Sequence, residues 1–120
     1  MARILLADDD TTTLDLVGRT LEADGHEVIR CVDGQEALQR FSAAPESFNL
    51  LITDLDMPGI NGVELASRAA AAAPQLRILV MSGFGGSADP AEDLGIPAAG
   101  FISRPLSLDQ VREAVSSALA

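Results

Sequence analysis

The stretch Leu50 to Gly62, LLITDLDMPGING, decides the fold. Leu50, Leu51, Ile52 and Thr53 form a short, nearly unbroken apolar run, the pattern of a strand buried on both faces. The run stops at Asp54. After Asp54 and Asp56 the Pro58-Gly59 pair breaks regular structure, and Asn61 then stands where a helix N-cap belongs, with Glu64 three residues on in capping-box position. A carboxylate is thereby expected at the carboxyl end of a buried strand, in a loop that feeds a helix. In open α/β sheets that edge is where ligands bind.

The residues on either side repeat the pattern. Upstream, Ile4 to Ala7 reads as a first buried strand, and it too ends in acids, Asp8, Asp9 and Asp10. From Thr11 to Asp24 the apolar residues Leu14, Val17 and Leu21 recur at helical spacing, and Gly25 stops that helix. Glu27 to Cys31 is a second strand. Asp33 caps the next helix, with Glu36 at the reciprocal position and Ala37, Leu38 and Phe41 on its buried side, until Pro45 ends it. The third strand is expected from Phe48 to Thr53. Downstream, Val63 to Ala73 is an alanine-rich helix stopped by Pro74, and Ile78 to Met81 is a fourth strand that leads into Ser82 and a glycine-rich turn. Asp89 to Leu94 reads as a short helix with Asp89 as cap and Pro90 at its first position. Gly100 to Ser103 is a last strand, followed by Arg104-Pro105. Ser107 and Gln110 open a final helix whose apolar stripe is Leu108, Val111, Val115 and Leu119. Strands and helices alternate throughout, about five of each, which reads as an α/β fold: a doubly wound, five-stranded parallel sheet with helices on both faces.

Composition sets the outer bounds. A length of 120 residues gives room for one domain, residues 1–120, with one core. The net charge of -10 argues against nucleic acid as a partner, because phosphate backbones require clustered Lys and Arg. All eight basic residues are Arg. Cys31 is the single cysteine, so neither an internal disulfide nor a cysteine-based zinc site is expected, and a reducing, cytoplasmic setting is the simplest one. The opening MARILLADDD is too short in its apolar run for a signal peptide, and no segment has the length to insert across a membrane.

The chemistry lies at the carboxyl ends of the strands: Asp8 and Asp9 come after the first, Asp54 after the third, Ser82 after the fourth and Arg104 after the fifth. In a parallel sheet these positions share one edge. With the flavodoxin-like strand order 2-1-3-4-5, the first and third strands are neighbours at the topological switch point and Asp8, Asp9 and Asp54 converge. Two like charges about 4 Å apart repel by roughly 4 kcal/mol at an effective dielectric of about 20. A hard divalent cation offsets that repulsion, and a few carboxylates plus waters are the usual way Mg²⁺ is held. A carboxylate beside a metal, a hydroxyl and a fixed cation is in turn a candidate phosphoryl acceptor, attacking phosphorus to give an aspartyl phosphate.

At these residues the chain resembles the receiver domains of two-component response regulators, including those found in hybrid histidine kinases. ILLADDD is similar to the family's first strand with its acidic pair, at Asp8 and Asp9; TDLDMPGINGVEL resembles the phosphoacceptor loop, with the acceptor at Asp54. LVMSG resembles the segment that carries the family's Ser/Thr position, here Ser82, and AGFISRPLS resembles the closing strand, with Phe101 at the aromatic switch position. The resemblance implies Mg²⁺ or Mn²⁺ held by the side chains of Asp9 and Asp54, by the backbone carbonyl of Asp56, and by Asp8 mostly through water. It further implies a cis peptide at Arg104-Pro105, and as partner a histidine kinase or histidine phosphotransfer protein. The chain departs from the family at Arg104, where receivers have lysine. Arginine keeps the charge on a wider, planar fork of different reach, so the exchange is not conservative.

A pseudo-receiver that only binds partners is favoured by Arg104. An aspartate-nucleophile phosphatase is suggested by the DxD spacing of Asp54-Leu55-Asp56, and opposed by the position of that motif after the third strand, the short chain and the missing lysine. The Gly83-Phe84-Gly85-Gly86 run fits a dinucleotide loop only loosely, with no acid between Asp93 and Asp109 to hold a ribose. Asp10 and Asp33 read as turn formers or helix caps, and His26 as a surface residue rather than a phosphoryl carrier or ligand.

Overall fold

Five parallel strands form one sheet in the order β2-β1-β3-β4-β5. They are β1 (Arg3–Ala7), β2 (Glu27–Cys31), β3 (Leu50–Asp54), β4 (Arg77–Ser82) and β5 (Gly100–Ser103). Among the described residues the helices are α1 (Thr11–Ala23), α2 (Gly34–Ala43), α3 (Gly62–Ala72) and α4 (Leu108–Leu119), with a 3-10 turn at Pro45–Ser47. This computed structural model describes residues 2–82, 99–103 and 107–120. The short helix expected at Asp89 to Leu94 lies outside them.

Each central strand is apolar on both sides because each side has its own core. Ile4, Leu6, Leu50 and Ile52 point into a cluster with Leu14, Val17 and Leu21 of α1 and Val111 and Val115 of α4. Leu5, Ala7 and Leu51, at the alternate positions, pack with Ala37 and Phe41 of α2 and Leu65, Ala66 and Ala69 of α3. Among the described residues, α1 and α4 cover one face and α2 and α3 the other. The alanines of α3 let that helix sit close to the sheet, where a larger side chain would hold it off.

Helix ends follow local chemistry. Asp10 caps α1 by accepting from the Thr12 N–H, and Asp33 caps α2 by accepting from the Glu36 N–H at 2.7 Å. The Glu36 carboxylate reaches back to the Val32 N–H at 3.0 Å, one residue earlier than a standard capping box. Asn61 and Ser107 cap α3 and α4 in the same way. At the end of α1, His26 N–H donates to Leu21 O and Gly25 N–H to Glu22 O, with Gly25 at φ +94°. That is a Schellman stop, and the left-handed position takes glycine because it has no Cβ to clash.

Three expectations are corrected. The third strand begins at Leu50, and Phe48 lies before it, buried beneath Arg3 with its ring 6.1 Å from that of Phe41. Phe48 is apolar because it fills the core, not because it joins the ladder. Leu108 is 41% exposed and Leu119 only partly buried; the buried stripe of α4 is Val111, Val115 and Ala118. Leu108 occupies the first helical position, outside both core clusters. His26 is half-buried, and its Nδ1 accepts from the Ala2 N–H at 3.1 Å.

Candidate functional site

Pairing register sets the site. Ala7 of β1 lies opposite Thr53 of β3, so the next residue on each strand, Asp8 and Asp54, emerges side by side at the carboxyl rim. The ladder extends one step beyond the strands, with Asp8 N–H donating to Cys31 O at 3.1 Å and Leu55 N–H to Met81 O at 3.3 Å. Asp8 is thus hung from β2 by its own amide, while Asp54 is held by its pairing with Met81 and by the bond of the residue after it. Their backbone positions are fixed before any side-chain interaction is counted.

Asp8, Asp9 and Asp54 each bring a carboxylate oxygen within 4.8 Å of the others. Asp8 is 0% and Asp54 6% exposed, whereas Asp9 faces solvent. Burial of two of the three acids raises the Coulombic penalty above that of a surface cluster. Local amides offset part of it: the Asp10 N–H donates to Asp8 Oδ1 at 2.9 Å and the Asp56 N–H to Asp54 Oδ1 at 3.3 Å. The donor set is oxygen only, in a mixture of buried and solvent-facing groups. That suits a hard divalent cation that keeps part of its water shell.

The remaining expected residues divide. Asp10 is occupied as the α1 cap, its Oδ2 also accepting from Thr13 Oγ1. The Asp56 side chain is exposed and outside the acidic triad, while its amide is turned to Asp54. Ser82 ends β4 one residue past Met81, the partner of Asp54, and pairs with Ser103 of β5. Phe101 lies half-buried in β5 opposite Val80, against the core cluster under α2 and α3. Arg104 and Pro105, with the expected cis peptide, lie outside the described residues. An open cleft lined by Asp9, Leu55, Asp56, Met57, Asn61 and Val63 runs from the acids along the loop.

Two residues that motif reading passes over shape the loop after Asp54. A Cβ at Gly62 would overlap the Asp54 carbonyl oxygen and stand 2.8 Å from Leu55 Cα. A Cβ at Gly34, the first residue of α2, would overlap the Ile60 carbonyl oxygen. Both contacts are tertiary, and the only trace in the sequence is a glycine directly after each capping residue.

Comparison with known proteins agrees with this geometry. The family model for the response regulator receiver domain matches residues 4–116. The response regulator receiver protein CpdR of Brucella abortus is 40% identical over 84 residues, covering 70% of this chain and 68% of that protein. The virulence sensor protein BvgS of Bordetella bronchiseptica is 35% identical over 125 residues, covering 98% of this chain and 10% of BvgS. The chain thus spans only a small part of that larger relative. Among solved structures, a response regulator receiver domain protein from Clostridium thermocellum superposes with a TM-score of 0.87 at 27% identity, covering 99% of this chain and 94% of that one. The receiver domain of the hybrid histidine kinase CckA gives 0.81 at 27% identity, covering 98% and 99%. With the family's sheet order, its acidic rim and a match along nearly its whole length, this chain belongs to the response regulator receiver domains, the signalling modules of two-component systems.

Proposed function

We propose that residues 1–120 act as a phosphoacceptor receiver in the cytoplasm, with Asp54 taking a phosphoryl group from a phosphohistidine on a histidine kinase or phosphotransfer protein. The observation that carries this reading is the convergence of Asp54 with Asp8 and Asp9 at the end of adjacent strands. An Asp54 carboxylate oxygen attacks phosphorus, the phosphorus–nitrogen bond of the donor breaks, and the leaving imidazole takes up a proton from solvent. The product is an acyl phosphate on Asp54. The amide of Asp56, bonded to Asp54 Oδ1, orients the carboxylate so that its other oxygen faces the donor. Ser82 supplies a hydroxyl to a phosphoryl oxygen and Arg104 a positive charge, while Phe101 is the aromatic group that responds to the modified rim.

Asp8, Asp9 and Asp54, with the Asp56 backbone carbonyl, would hold Mg²⁺ or Mn²⁺, which would supply charge neutralisation for the phosphoryl oxygens. On this reading the domain is a signalling module and not an enzyme, its own chemistry being at most self-phosphorylation and autodephosphorylation at Asp54. BvgS is a sensor protein and CckA a hybrid kinase, which supports a kinase as donor.

Treatment with a small acyl phosphate and Mg²⁺ tests this reading by intact mass. An acid-stable, base-labile adduct of one phosphoryl group is expected, absent in Asp54→Asn. No adduct under any divalent cation would instead favour the pseudo-receiver that Arg104 suggests. Phosphate-ester turnover lost in Asp56→Asn would favour a phosphatase. Arg104→Lys is expected to phosphorylate at a different rate and to change its conformational response; identical behaviour would show that the guanidinium substitutes fully for an ammonium.

A further inference from the structure

We infer that Gly34, on the helix behind the acceptor loop, is a positioning residue for Asp54 and the loop after it, an inference that rests on the phosphoacceptor reading above. The loop from Leu55 to Asn61 is pinned at its far end by the Gly62 N–H, which donates to Leu55 O at 3.0 Å. Its crest is set differently. The Ile60 carbonyl lies directly against the Cα of Gly34, so close that a Cβ there would overlap the oxygen and stand 2.9 Å from the carbonyl carbon and 3.1 Å from Ile60 Cβ. The obstruction is backbone, which cannot rotate aside as a side-chain end can. Gly59, by contrast, has open space around it at φ +75°, so its glycine answers to the turn alone.

The start of α2 is a firm wall for this contact. Asp33 accepts from the Glu36 N–H, Glu36 accepts from the Val32 N–H, and Ala37, one turn in, is fully buried. Pushing the loop away from Gly34 therefore moves the loop and not the helix. The segment that moves includes Asp56, whose amide orients the Asp54 carboxylate. A displacement of about 1 Å at a reacting group lowers a rate by up to about a hundredfold.

The test is Gly34→Ala in the full chain, assayed well below its melting temperature with a small acyl phosphate. Gly18→Ala serves as the control for lost stability, since the nearest atoms to its Cβ, at 2.5 Å, belong to the Arg30 guanidinium, a side-chain end whose ion pair with Glu22 would have to give rather than backbone. Gly34→Ala is expected to phosphorylate about ten- to a hundredfold more slowly, to bind Mn²⁺ more weakly by calorimetry, and to shift amide resonances across residues 54–62. Gly18→Ala should match the parent in all three. Should Gly34→Ala prove poorly folded, Asp33→Ala, which loosens the wall, should slow phosphorylation and Asp33→Asn, which keeps the cap, should restore it. Parent-like rate, Mn²⁺ affinity and loop resonances in Gly34→Ala would overturn the inference. A parent protein that takes no phosphoryl group would overturn the function reading instead, leaving Mn²⁺ affinity and the loop resonances to decide the role of Gly34.

Discussion

Asp9 is the one member of the acidic triad that faces solvent, and Asp8 and Asp54 are buried beside it. A cation that binds only the folded triad stabilises it by mass action, about 2.7 kcal/mol at a hundredfold excess over its dissociation constant. Thermal melts should therefore shift upward with added Mg²⁺, and the shift should shrink in Asp9→Asn; equal shifts in both proteins would rule out a role for Asp9. Cys31 makes a second prediction at this scale. Burial, with a smaller push from the Glu36 carboxylate, raises its thiol from 9.0 to about 12. The unfolded chain then loses the thiol proton before the folded chain does, so stability is intact below about pH 9 and falls as pH rises towards about 12. Lysine and tyrosine are absent, so no other kind of side chain has its ordinary titration in that window. The loss should be on the order of a few kcal/mol in chemical denaturation, and Cys31→Ala should flatten it.

At the level of elements, β3 carries both the core and the acceptor. Leu51 is fully buried between α2 and α3 and lies in the same strand as Asp54. Leu51→Ala should cost about 2–5 kcal/mol of unfolding free energy, measured by urea denaturation, while leaving Asp54 chemistry intact in the folded fraction. Much at this scale could be read from the residues: apolar runs marked the strands, and Asp33, Asn61 and Ser107 marked the helix starts. What failed did so for a physical reason. Phe48 looks like strand because buried aromatics and strand aromatics are the same residue, and Leu108 looks like core because periodicity gives the side of a helix but not how deeply each of its turns is buried. The contacts of Gly34 and Gly62 were illegible, since closeness of backbones is a property of packing that no single position reveals.

For the whole molecule, alternation of strand and helix was enough for the fold class. Convergence of the acids was not contained in the spacing, and it emerged only once β1 and β3 were taken as neighbours, as the sheet order has them. The same order ties the acids to the sheet's margin. Asp8, innermost of the triad, is held through its own N–H to Cys31 O on β2, the outermost strand on that side. Outer strands are where a sheet first opens. Deuterium uptake at that one amide is thus a clock for local breathing beneath the acids: whatever ligand or partner quiets the margin lengthens its lifetime, and whatever frays it shows there first.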